Sequence, residues 1–111
     1  MTPITIVQGQ LDAYNNQDLE LFLSFFSDAI EVYSFPNKLI YTGIHKMRDY
    51  YKNAWELNPK QKAIVNERMF LDKTVIDKEL VVGRANGIEL NVIAMYTIEN
   101  NTISKVFFIR E

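Results

Sequence analysis

The chain has 111 residues, 48% of them hydrophobic and 23% charged, with a net charge of −2, which describes one ordinary globular domain. That charge argues against a nucleic-acid partner, which a basic patch would mark, and no apolar run approaches the ~18 residues of a membrane span. Cysteine is absent and His45 is the single histidine, so disulfide, thiolate and structural-zinc chemistry are not expected, nor is any other cofactor.

Thr2-Pro3 offers a capping hydroxyl followed by proline at the first helical position. The same N-terminus lacks a basic segment followed by an apolar one, so no signal peptide is read and a cytoplasmic location is expected. Ile6, Val7, Leu11 and Tyr14 form the apolar stripe of a first helix, with Gln10 inside it. Asn15-Asn16 predicts its end, because asparagine tolerates the left-handed conformation found at helix C-termini. Asp18 then caps a short second helix, Leu19 to about Phe26, with Leu19, Phe22, Leu23 and Phe26 facing inward.

Ala29–Phe35 alternates and is rich in strand formers, and Pro36-Asn37 closes it. A short strand over Lys38–Gly43 leads to a helix at Ile44–Leu57, which Asn58-Pro59 stops. Its broad apolar face carries Ile44, Met47, Tyr50, Tyr51, Ala54 and Trp55. The rest reads as strands near Ala63–Asp72, Thr74–Arg84, Gly87–Glu99 and Ile103–Arg110. They are separated by Asp72-Lys73, Asn86-Gly87 and Asn100-Asn101, and Asn-Gly between two such runs predicts a tight hairpin. The order predicts a single α+β domain.

Three stretches resemble the NTF2-like superfamily, in its ketosteroid isomerase and SnoaL-like branch. They are the opening VQGQLDAYNNQDLELFLSFFSDAIEVY, the third-helix entry YTGIHKMRDYY and the closing ELNVIAMYTIENNTISKVFFIRE. The resemblance implies a cone: three N-terminal helices packed on a curved, mostly antiparallel sheet, with a small-molecule pocket at the opening. It also implies a homodimer through the outer sheet face. The predicted strand Gly87–Glu99 agrees, since its outer positions are polar at the ends but carry Ile93 and Met95 in the middle.

Ketosteroid isomerases use an aspartate base, a tyrosine and a protonated aspartic acid. The resemblance aligns those positions with Tyr33, Gln10 and Ala94, so this chain lacks that set. Limonene epoxide hydrolase and scytalone dehydratase relatives need carboxylate–arginine or histidine sets that are equally missing. The expected pocket is bounded by Gln10, Tyr14, Tyr33, Phe35, Tyr51, Trp55, Val92, Ala94, Tyr96, Phe107 and Ile109. Gln10 reads either as a flanking residue or as a hydrogen-bonding group in the pocket, and Trp55 with Tyr51 as helix packing or a ligand platform. Glu31, sharing a strand face with Tyr33 and Phe35, is the candidate base if it points inward, where burial would raise its pKa. Tyr14 and Tyr33 are the other catalytic candidates. Glu67, Asp72, Asp77 and Glu79 read as solvent-face or turn residues. The expected function is binding of a small hydrophobic molecule, with an isomerase, cyclase or lyase on a small steroid- or polyketide-like substrate as the alternative.

Overall fold

A computed structural model describes residues 1–111. Helix α1 (Pro3–Asn15) starts where Thr2 accepts a hydrogen bond from the Thr5 amide, with Pro3 at the first helical position. It ends at Asn16, which remains right-handed; the left-handed residue of the corner is Gln17, at φ 51°. Asp18 caps α2 (Leu19–Ser24). This helix is shorter than its apolar spacing predicts, because Phe26 has already joined the sheet opposite Ile103. Ile6, Val7, Phe22 and Leu23 are the faces these two helices bury.

Strands β1 (Phe26–Ser34) and β2 (Lys38–Thr42) pair through a turn that holds a cis Phe35-Pro36 bond. Helix α3 (Ile44–Leu57) follows them, so the helices are not all N-terminal to the sheet. Four further strands complete the chain: β3 (Lys62–Leu71), β4 (Thr74–Val82), β5 (Leu90–Glu99) and β6 (Thr102–Arg110). The six-stranded sheet runs β2-β1-β6-β5-β4-β3. It is mixed, because β1 and β6 are parallel while every other pair is antiparallel. The helices pack on one face around Ile6, Phe22, Ile30, Met47, Ile103 and Val106. No helix is long and apolar enough to cross a membrane.

Bulges bend the strands and reset which side chains point inward. In β6, Ile98 pairs with Ile103 while Thr97 pairs with Lys105, which leaves Ser104 as an extra residue. Strict alternation from Ile103 would turn Phe107 and Ile109 inward. The extra residue turns Val106, Phe108 and Arg110 inward instead. At the far edge, Met69 on β3 is exposed, although its type suggests core filler.

The β4–β5 connection is a seven-residue loop (83–89) rather than the tight hairpin that Asn86-Gly87 suggests. Gly83 and Gly87 both have left-handed φ, 75° and 74°. A Cβ on Gly83 would run into the Lys60 carbonyl oxygen, whereas one on Gly87 would meet open space. Gly83→Ala is therefore expected to cost about 2 kcal/mol or more, and Gly87→Ala about 1 kcal/mol from backbone strain alone. Urea denaturation of the two variants checks this; equal losses would show that the Lys60 carbonyl yields freely.

Candidate functional site

Helices and sheet leave between them a cavity of about 160 Å³. Leu11, Phe22, Met47, Val32, Val92 and Val106 supply apolar wall from three helices and three strands. A cavity of roughly 150 Å³ accepts a single benzene ring, so the enclosed space suits a ring-sized body. Tyr14, Tyr50 and Tyr51 also border it.

The charged wall is β4. Val75, Asp77, Glu79 and Val81 are buried and alternate with Ile76, Lys78, Leu80 and Val82 on the other face. Two carboxylates thus sit mid-strand on the inner face, where the sequence places them in solvent. Asp77 is 0% exposed and is answered by Arg68, whose Nε and Nη2 donate to its two oxygens at 2.6 and 2.9 Å. Arg68 Nη1 also donates to Gln8 Oε1 of α1 at 2.8 Å. The bonds to Asp77 hold the guanidinium above its ordinary, already high range.

Glu79 has no such partner. It lines the cavity, is only 7% exposed, and accepts one long hydrogen bond, from the Tyr96 hydroxyl at 3.3 Å. Gln10 Nε2 donates to the same hydroxyl at 3.3 Å. Burial first, and the Asp77 charge second, push the Glu79 carboxyl up to about 7; Tyr96, Arg68 and Arg110 pull weakly the other way. Burial also raises the Tyr14, Tyr51 and Tyr96 phenols, so all three stay protonated donors at neutral pH. Tyr14 accepts from Gln61 Nε2 at 2.5 Å, which leaves its own proton free to donate. A carboxylate poised near neutrality beside protonated phenols can take a proton from carbon and stabilise the oxyanion that forms.

Of the pocket residues expected from the sequence, Gln10, Tyr14, Tyr51, Val92 and Tyr96 line this cavity. Trp55 and Ala94 are buried behind it, Trp55 packing edge-on against Tyr14 and Phe22. Tyr33, Phe107 and Ile109 lie on the opposite sheet face, and Phe35 is exposed at the end of β1. Tyr33 stacks on Phe107 at 4.7 Å and donates to Glu31 Oε1 at 2.8 Å, with Lys105 Nζ 3.8 Å from that carboxylate. Glu31 and Tyr33 are thus outer-face residues and do not line this cavity. On β1 it is Ile30 and Val32 that are buried, in phase with each other and out of phase with the aromatics. The signal for Glu79 was present: Val75 and Val81 sit at even spacing around both carboxylates in a strand flanked on both sides.

No family model matches the chain, and no curated protein matches it. Solved structures do. An uncharacterized cystatin fold protein from Novosphingobium aromaticivorans is 22% identical, covering 99% of each chain at a TM-score of 0.90. An NTF2-like protein of unknown function from Cytophaga hutchinsonii is 14% identical over 100% of this chain and 91% of its own, at 0.84. A putative polyketide cyclase from Sinorhizobium meliloti is 16% identical over 98% and 100%, at 0.81. The structural neighbours are NTF2-like, SnoaL-like and ketosteroid isomerase-like proteins, the superfamily and branch that the sequence resembles. At these identities the likeness establishes the fold.

Proposed function

We propose that this domain binds a small, largely apolar molecule and moves a proton on it, as an isomerase, cyclase or lyase does, with Glu79 as the base. One observation carries the reading: a buried carboxyl faces the cavity with its pKa pushed up to about 7, where it is both ionised enough and basic enough to work. Tyr96, steadied by Gln10, holds Glu79 with its one proton, and Tyr14, whose proton is free, is the donor to the oxyanion. Plain ligand binding would leave this poorly paired carboxyl without a purpose, at a cost in stability. The cavity volume favours a body of one ring, or of two with the second at the mouth, over a four-ring steroid.

A generic probe tests the base without knowledge of the substrate. 5-Nitrobenzisoxazole loses its ring C–H proton to a base, the C–H electrons form a nitrile, and the N–O bond breaks to give a coloured phenolate. The expected rate rises with pH through about 7 and levels off, and Glu79→Gln lowers it by roughly a hundredfold or more. A rate no better than free acetate, or unchanged in the variant, rejects the assignment.

The same reading includes a homodimer through the outer sheet face. Ile76 pairs beside Met95, Met95 beside Phe107 and Ile93 beside Ile109, giving that face an apolar centre with Tyr33 stacked at its side. Met95→Glu is expected to yield monomer or insoluble protein. Sedimentation that finds the unmodified protein monomeric at tens of micromolar removes the dimer.

A further inference from the structure

The cavity lining carries two cations that form no ion pair, although Arg110 acts weakly on Glu79. Arg84 enters from the loop after β4, and Arg110 from the end of β6, in register with Val92. The ion pairs of the fold are Arg48–Glu20, Arg68–Asp77 and Lys105–Glu31, and none of them uses either residue. In a chain with net charge −2, two arginines outside any ion pair in one cavity lining run against the average surface. Arg110 is also held in place: its guanidinium lies 4.4 Å over the Phe108 ring, which itself lines the cavity. Such stacking orients the planar fork and leaves its edge free to donate. Asn58 and Gln61 also line the cavity, their amides donating to the Ala54 carbonyl and the Tyr14 hydroxyl.

We propose that the ligand is a monoanion, a ring-sized apolar body bearing a carboxylate, with the body in the cavity and the carboxylate between Arg84 and Arg110. This rests on the proton-transfer reading only for its location, since it names the substrate class of the same cavity. The division of labour is physical. The apolar wall offers nothing to a charge, while the rim offers two guanidiniums that bind a carboxylate through paired, charge-assisted hydrogen bonds. Glu79 lies in the same row of the sheet as Arg110, since Val92 pairs with both, but it is buried where Arg110 is exposed, so the base and the ligand's charge are separated by depth.

The test compares trans-cinnamate with cinnamamide, which match in shape and differ in charge, by NMR titration at pH 7 and low salt. Cinnamate is expected to bind about tenfold tighter or more, a difference near 1.4 kcal/mol, with added salt narrowing the gap. In Arg84→Gln/Arg110→Gln the two should bind alike, and retained amide binding shows that the cavity is intact. If the double variant does not fold, Arg84→Gln alone, in a loop, should lose a measurable part of the preference. Equal binding to the unmodified protein, a preference that survives the substitutions, or no binding of cinnamate at millimolar concentration overturns the proposal. Glu79→Gln separates it from the catalytic reading: that variant should keep the charge preference while losing turnover of the benzisoxazole.

Discussion

Glu79→Gln is expected to make the protein more stable at pH 8 while it lowers the proposed proton transfer by roughly a hundredfold or more. In the unfolded chain this carboxyl titrates near 4.5, and in the fold near 7. Between those values the native state holds a proton that the unfolded state has released, so stability declines as pH climbs through that window and levels off above it. A shift of this size corresponds to about 3 kcal/mol at the plateau. Glutamine has nothing to ionise and still offers a carbonyl to the Tyr96 hydroxyl, so the variant escapes the decline. Asp77, Arg68 and Arg110, the other charged groups that influence Glu79, remain in both proteins and largely cancel in the comparison. The two proteins should melt together at pH 4 and diverge by on the order of 10 °C at pH 8. Parallel melting curves across that range would mean that Glu79 titrates as an ordinary surface carboxylate. A stabilising substitution that removes activity is the signature of a strained functional group.

Arg68→Met has the opposite sign. It strands the Asp77 carboxylate, 0% exposed, without the two hydrogen bonds that satisfy its oxygens. Breaking one partner of a buried pair costs about 3–5 kcal/mol, far more than the pair is worth intact. Restoring electrical balance with Arg68→Met/Asp77→Val should recover most of that loss, since valine continues the apolar row of Val75 and Val81. Urea denaturation of the single and double variants yields the coupling energy. A loss below about 1 kcal/mol for Arg68→Met would show that water reaches Asp77 and that the pair is not buried in solution.

These two carboxylates also mark the limit of what the sequence conveys. Element order was legible throughout, because caps such as Thr2 and Asp18 and stops such as Asn58-Pro59 act locally. The faces of β5 were legible too, since Val92, Ala94, Tyr96 and Ile98 keep strict alternation. The face of β4 was not. Asp77, Lys78 and Glu79 are consecutive charges, and a charged triplet reads as solvated unless the valines two residues either side are used to set the phase. On β1 and β6 the outer face is apolar enough, with Tyr33 on Phe107, to erase the polar half of the pattern that fixes register. The Ser104 bulge then inverts β6 beyond it, and no composition rule announces a bulge at serine. The buried position of Glu79 was missed for this reason: a site built from mid-strand positions is only as legible as strand phase.

The parallel seam between β1 and β6 bears on how the chain folds. β1 has two neighbours, and one of them is made of residues 102–110, some seventy positions further along. Until those residues exist, β1 and β2 form a lone two-stranded ribbon, which is marginal in water. Of the helices, α2 and α3 have only that ribbon to rest on, while α1 packs mainly on β3 and β4. β3, β4 and β5, by contrast, can zip as a meander from local turns. Closure of the seam is therefore the late, non-local event, slowed by the long loop it must draw together. Until the seam closes, the aromatic surface of α2 and α3 stays open, and exposed apolar surface of that kind is where aggregation starts.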